Sequence, residues 1–369
     1  MKLQERDYWL GFNIFPGIGP KRFYHLLKIF GSAKKAWLAK KDDLYKTSIP
    51  QKIITNFLTF RDKIDLSLEI LRLEKCLIRF IIVEDKDYPI LLKKISDPPP
   101  VLYIKGTILP QDSLAIGVVG TRQITSYGRE VTEHLVRDLI ACGFTIVSGL
   151  ARGVDSLAHR LALGNGGRTI AVLGSGLDKI YPPEHKALAE EIVAENKGAL
   201  VSQLSLGTQP LKGHFPSRNR IISGLSLGVL VTEGAHKSGA KITSEYALKE
   251  KRPVFAVPGP ITSPMSEGPA DLIKQGAKLV TKVDDILKEI KGNKVAKARP
   301  APSGAGAVKI NFNNVDEEKI WQTMVNGVRH IDEIIRQSNL SSAKTLSSLT
   351  TLELAGMVKN IGGGNYIIL

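Results

Sequence analysis

Residues 114–122 read Leu-Ala-Ile-Gly-Val-Val-Gly-Thr-Arg, and residues 144–155 read Phe-Thr-Ile-Val-Ser-Gly-Leu-Ala-Arg-Gly-Val-Asp. Each stretch is a short apolar run that ends in glycine and a cation. A strand without polar alternation has apolar neighbours on both faces, the condition of a parallel sheet covered by helices on each side. Between the two runs, Val131, Leu135 and Leu139 recur at i, i+4 and i+8, one stripe of a helix. The alternation continues outward, with apolar runs at 169–173, 199–201, 229–231 and 254–257 and a second amphipathic stretch at 240–251. The reading is an α/β fold with a doubly wound parallel sheet over residues 112–290. Such sheets bind ligands at the carboxyl ends of their strands, so the glycine- and cation-bearing strand ends are the expected site.

The flanks read differently. Residues 1–75 are helical, with Phe23, Leu26, Leu27 and Phe30 at i, i+3, i+4 and i+7. Residues 76–111 connect, with a short strand at Phe80–Val83 and a stiff Asp97-Pro98-Pro99-Pro100 joint. Residues 291–309 carry four lysines and one arginine, no acid and no apolar period, which reads as a flexible basic linker. Residues 310–369 read as three helices followed by strands that turn through Gly362-Gly363-Gly364, a winged-helix pattern.

The chain has 369 residues, 43% of them hydrophobic and 24% charged, which gives two to three globular domains. No apolar run approaches the roughly 18 residues of a membrane span. Charges at Lys2, Glu5, Arg6 and Asp7 stand where a secretory signal needs apolar residues, so a cytoplasmic location is expected. Cys76 and Cys142 are too few for a metal cage and fit a reducing compartment. The net charge is +15, divided as +8 over residues 1–110, +3 over 111–290 and +4 over 291–369. That balance points to a polyanionic partner, or to a protein that uses charge for solubility.

The motifs carry more chemistry than the charge does. Arg122 ends the first run of the sheet and can offer a guanidinium fork to a phosphate. Gly149 and Arg152 end the second and suit an anion cradle; Asp155 reads as a helix cap, and Asp155 with His159 as a cap and a nearby polar residue or as an acid–base pair. Gly174-Ser175-Gly176 begins like a dinucleotide fingerprint and lacks its third glycine. Ser238, Gly239 and Lys241 open a helix after a strand; Ala240 and Ile242 break the P-loop spacing, leaving a phosphate-facing helix start. Lys212, Phe215, Arg218, Asn219 and Arg220 crowd cations, an aromatic and an amide into nine residues at a loop and helix start, the ingredients of single-strand binding. Phe215 is a stacking platform or a core plug. Gly17, Gly19 and Lys21 sit in a turn between helices, a helix-hairpin-helix grip on DNA backbone or a packing hairpin. Ser341–Leu354 holds Lys344 as its one cation, so it reads duplex grooves poorly and serves a protein contact equally well.

In order along the chain, Gly-Val-Val-Gly-Thr-Arg (117–122), Tyr127-Gly128, Val-Ser-Gly-Leu-Ala-Arg-Gly-Val-Asp with Ala-His (147–159), Thr-Ile-Ala-Val-Leu-Gly-Ser-Gly-Leu-Asp (169–178), Tyr181-Pro182, Phe-Pro-Ser-Arg-Asn-Arg-Ile-Ile-Ser-Gly-Leu-Ser (215–226) and Val-Phe-Ala-Val-Pro-Gly (254–259) resemble the DprA (Smf, DNA-processing protein A) family. The resemblance implies an extended Rossmann-type domain with a helical N-terminal domain and a winged-helix-like C-terminal domain. It implies a homodimer that binds single-stranded DNA and hands it to the recombinase RecA during natural transformation, with no catalysis, cofactor or metal. On the family pattern Arg122 and Lys212 meet phosphates, Phe215 stacks on a base, and Arg218 and Arg220 line the same basic pocket. The chain departs from the pattern at Ser202-Gln203, where Ser-Glu is common, at Ala240-Lys241 and at Gly268-Pro269-Ala270. Two other functions compete. A nucleotide phosphoribohydrolase on a related sheet would use Gly239, Thr243 and Glu245, and a duplex-DNA regulator would act through the winged helix.

Overall fold

The computed structural model describes residues 3–290, 312, 314–325, 330–355 and 357–368, so the linker expected at 291–309 lies outside the described residues. The chain divides into two compact units, Met1–Arg299 and Pro300–Leu369.

The first unit is built on a nine-stranded sheet: β1 (Ile78–Ile82), β2 (Val101–Gly106), β3 (Ala115–Val119), β4 (Thr145–Ser148), β5 (Thr169–Val172), β6 (Gly198–Ser202), β7 (Gly228–Val231), β8 (Val254–Ala256) and β9 (Lys278–Leu279). Their spatial order is β1-β2-β6-β5-β4-β3-β7-β8-β9. From β6 to β9 every neighbouring pair is parallel, with Gly117 of β3 in register with Val147 on one side and Val229 on the other. The chain winds outward from β3 first through β4, β5 and β6, then through β7, β8 and β9. β3 is thus the point where strand order reverses, and a crevice opens beyond its carboxyl end. Segment 76–111 does more than connect. β1 pairs antiparallel with β2, and β2 pairs antiparallel with β6, which extends the sheet at that edge. The second of these strands, Val101–Gly106, is missing from the sequence expectation because its apolar run follows three prolines and has no alternation to mark it.

The pleat sends side chains of β3 alternately into two cores. Ile116 and Val118 join Leu135, Val136 and Leu139 of helix Ser126–Ala141 and Val154 and Ala158 of helix Val154–Gly164. Ala115 and Val119 face the larger cluster, which continues through Ile221 and Ile222 of helix His214–Leu225 into the N-terminal helices. There Phe12 of helix Glu5–Ile14 stacks on Phe57 at 5.0 Å between centroids and meets Trp37 edge-on at 5.2 Å. The helical N-terminal region therefore shares one core with a face of the sheet. Helix Pro20–Phe30 starts with Gly19 as its cap and proline in its first turn, and ends at Gly31 with φ +80°, a left-handed conformation that glycine adopts without strain.

The second unit is a winged helix. Helices Val315–Val325, Ile331–Ser338 and Ser342–Leu354 precede a hairpin of β10 (Val358–Gly362) and β11 (Asn365–Ile368). Ile320, Ile334, Leu349, Leu352, Val358 and Tyr366 form its core. Lys344 on the last helix pairs with Asp316 at 3.5 Å. Among the described residues of both units no helix is long and apolar enough to cross a membrane.

Candidate nucleic-acid interface

Beyond β3 the backbone turns at Gly120, where a side chain would run into Val154 and the Glu233 carbonyl. The turn is held by Glu233, which follows β7 and is 2% exposed. Its carbonyl accepts from the Thr121 amide at 2.8 Å, and its carboxylate accepts from the Thr125 amide at 3.0 Å and the Thr125 hydroxyl at 2.5 Å. These bonds fix the segment from which Arg122 projects into solvent. The Arg122 guanidinium carbon lies 5.8 Å from the centroid of the Phe215 ring, a cation–π distance.

Phe215 falls in the first turn of helix His214–Leu225 rather than in the loop before it. It is half-buried: its ring packs against the backbone of Gly174, where a side chain would touch it, and the Tyr181 ring stands 5.7 Å away at 50°. Phe215 belongs to neither core cluster. Arg122, Gly149, Arg152, Tyr181, Phe215 and Arg218 border one shallow pocket at the ends of β3, β4 and β5. Tyr181 is not among the sequence-derived site residues; its signal is an aromatic beside a proline in the loop after β5. Nothing local marked Glu233, whose role depends on Thr125, 108 residues earlier.

Arg218 and Arg220 do not share this pocket. Two residues apart on a helix, their side chains leave about 200° apart. Arg218 lies beneath the pocket floor, 5% exposed, donating to the carbonyls of Gly149 (2.6 Å) and Val172. Burial pulls its guanidinium down to about 10, and the nearby Arg122 charge adds to the effect. The Gly149 amide donates to Asp155 at 3.1 Å. Asp155 is not the cap of helix Val154–Gly164, which is Gly153; its carboxylate folds back to hold the end of β4 instead. Burial raises its pKa, while Arg218 and the Gly149 amide work against that. His159 is fully buried, with Nδ1 2.6 Å from the Thr169 hydroxyl. Burial, reinforced by Arg218, lowers it to about 3, so it is neutral near neutral pH. Arg220 leaves the opposite side of the helix and donates to the Asp97 carbonyl and to Gln203 Oε1.

The remaining candidates are spread around this centre. Lys212 is exposed, and among the described residues it makes no ion pair. Arg152 is also exposed but is held by Glu184 at 2.5 Å. Asn219 is buried and donates to the Gly239 carbonyl at 3.3 Å, which ties the start of helix Gly239–Lys249 to helix His214–Leu225. Ser238, Gly239 and Lys241 therefore stand beside the neighbouring helix and outside the pocket lining. Gly17 and Gly19 form the turn between the first two helices, with the Gly17 carbonyl accepting from Arg22 at 2.9 Å, and Lys21 is exposed beside them. For the hydrolase arrangement, Thr243 is buried and Glu245 exposed, so the two do not converge on one centre. The Ser175 hydroxyl donates to the Lys179 carbonyl within the loop after β5 and the Gly176 amide donates to the Thr208 carbonyl at 3.0 Å, with no helix starting there to face a phosphate. Among the described residues no cluster of histidine, cysteine or carboxylate could hold a metal ion.

Comparison with known proteins gives a consistent picture. Residues 79–291 match the family model for DNA recombination-mediator protein A, and residues 298–364 match the DprA winged helix domain. The chain is 37% identical over 341 residues to Protein Smf of Escherichia coli, covering 89% of this chain and 88% of that one. It is 44% identical over 224 residues to the DNA processing protein DprA of Bacillus subtilis, covering 60% of this chain and 75% of that one. The structure resembles DNA processing protein A of Streptococcus pneumoniae, with TM-score 0.67 and 36% identity over 78% of this chain and 99% of that one. It also resembles DNA processing protein A of Helicobacter pylori, a structure described for its single-stranded DNA binding mode, with TM-score 0.51 and 30% identity over 57% of this chain and 94% of that one.

Proposed function

This chain belongs to the DNA recombination-mediator protein A family, and on that premise we propose that it binds single-stranded DNA without catalysing a reaction on it and delivers the strand to a RecA recombinase. The observation that carries this reading is the pocket at the reversal point of the sheet, where the exposed Arg122 lies over the Phe215 ring and Tyr181 stands beside it. An exposed cation above an aromatic pair offers one group to a phosphate and another to the face of a base. Base–aromatic stacking tolerates any sequence because every base has a π-face. A duplex keeps its bases stacked inside, so the aromatic pair selects for single strands. Arg218 shapes the pocket from below by holding two strand-end carbonyls, and contributes charge through the floor. The chain acts as a homodimer, and natural transformation is the setting that the family suggests.

The deciding experiment is a titration with single-stranded oligonucleotides over a range of salt, with duplex as competitor. Each neutralised phosphate on a single strand contributes about −0.7 to the slope of log K against log salt. Arg122, Lys212, Lys241 and Arg152 give three to four contacts and a slope of about −2 to −3. Salt-independent binding, or tighter binding to duplex, would defeat the reading. Delivery to the recombinase is checked separately, by RecA filament formation on strands pre-coated with a single-strand-binding protein, with and without this chain.

A further inference from the structure

On the other side of helix His214–Leu225 from the pocket lies a cleft of about 390 Å³. That volume is in the range of small-ligand sites, roughly 300–1,000 Å³. One wall is the turn Pro16–Pro20 of the N-terminal helices, and the other is the head of helix His214–Leu225 with the segment after β6. Its floor is the surface of the N-terminal core, where Phe12, Phe15 and Phe23 are 1%, 7% and 2% exposed.

Several polar side chains border that floor, and those of Gln203 and His214 have hydrogen-bonding capacity to spare. Gln203 Oε1 is taken by Arg220, which leaves the Gln203 amide nitrogen with one long bond of 3.4 Å to Ser217 and a second hydrogen to offer. His214 Nδ1 lies 3.1 Å from the Gln209 carbonyl, so Nδ1 donates there and Nε2 is an acceptor with no partner among the described residues. The two charged groups on the cleft, Asp97 and Arg220, offset each other. An apolar floor, a spare donor, a spare acceptor and offsetting charges describe the complement of a planar heterocycle with a polar edge. Each rim leads directly to an exposed lysine: Pro20 is followed by Lys21, and His214 is preceded at two residues by Lys212.

We propose that this cleft receives an unstacked nucleobase of the bound strand while the phosphates on either side of that base meet Lys21 and Lys212. The proposal rests on the single-strand reading above and extends it, because the strand then passes over the head of helix His214–Leu225 and engages both of its faces. It also gives the glycine turn of the N-terminal helices a function as a wall of the base site.

The test is photocrosslinking of the full chain with oligothymidylate in which 5-iodouracil replaces one thymine in turn, with the crosslinked peptides mapped. Crosslinks to the segment 12–18 or 203–208, together with those at Phe215 and Tyr181, are expected. In parallel, Thr208→Trp places an indole in the cleft mouth. It should weaken strand binding about five- to tenfold or more, the scale of one lost base contact, and abolish crosslinks to 12–18. Phe215→Ala should keep them. Thermal melting shows whether Thr208→Trp is folded, and if it is not, the crosslink map of the unaltered chain decides. Strand binding with crosslinks confined to Phe215 and Tyr181 would overturn the base site and leave the single-strand reading standing. Absence of strand binding by the unaltered chain would overturn both.

Discussion

At the residue scale, Arg122 and Phe215 are separable by what each contributes. Arg122→Ala removes a charge, so affinity should fall most at low salt and the slope of log K against log salt should shrink by about 0.7. Phe215→Ala removes a stacking surface worth about 1–3 kcal/mol per base, and the slope should stay unchanged. Salt titrations of the two variants check both outcomes. Because Phe215 is half-buried and outside both cores, its melting temperature should fall far less than for a core phenylalanine, whose loss costs about 3–5 kcal/mol. Beneath the pocket, His159 sets a pH dependence of stability. Burial holds it at about 3 in the folded chain, whereas an unfolded imidazole protonates near pH 6.5, a value of about that size for free histidine. The unfolded chain therefore binds the additional proton, and stability is lost as pH falls through that range. Between pH 7.5 and 5 the contribution is about 2 kcal/mol. Chemical denaturation at the two pH values should show that much less pH sensitivity in His159→Gln than in the unaltered chain.

Single elements decide how these residues are presented. Helix His214–Leu225 divides its functional side chains between two sides: Phe215 and Arg218 go to the strand ends, Ser217 and Arg220 to the cleft against the N-terminal helices. The segment after β3 has no regular structure of its own and depends on Glu233 at the end of the adjacent strand. Glu233→Ala leaves the Thr125 amide and hydroxyl without their acceptor, a loss of about 1–3 kcal/mol for a buried polar group. The melting temperature should drop accordingly. DNA affinity should drop as well, although Glu233 carries no positive charge, because Arg122 loses its fixed origin. Unaltered DNA affinity in a folded Glu233→Ala chain would show that the position of Arg122 does not matter.

For the whole molecule, the winged helix and the larger unit are compact bodies with their own cores. The one lysine on helix Ser342–Leu354 is engaged by Asp316, which leaves that helix little to offer a duplex groove. A chain ending at Lys291 should therefore keep most of its single-strand affinity, losing only what the basic segment 291–309 adds. Binding isotherms of the shortened and full chains test this. Loss of binding in a shortened chain that melts normally would make the winged helix the principal reader.

The sequence alone determined the alternation of strands and helices and pointed to the strand ends as the candidate site, while the resemblance to the family joined Arg122 and Phe215 in one proposed function. The first two follow from local causes: continuous apolar runs, helical periodicity, and glycine followed by a cation at the ends of β3 and β4. Only the tertiary structure decided which cations reach solvent. Arg218 and Arg220 look equivalent in a string of residues, but the 100° step of the helix and the burial on each side send one under the pocket and the other to the cleft. Tyr181 beside Phe215, Glu233 beneath Thr125 and the N-terminal turn facing the head of helix His214–Leu225 are pairings across 34, 108 and about 200 residues. No local pattern encodes such pairings, because they arise only when the sheet fixes the order of its strands and the two cores close over it.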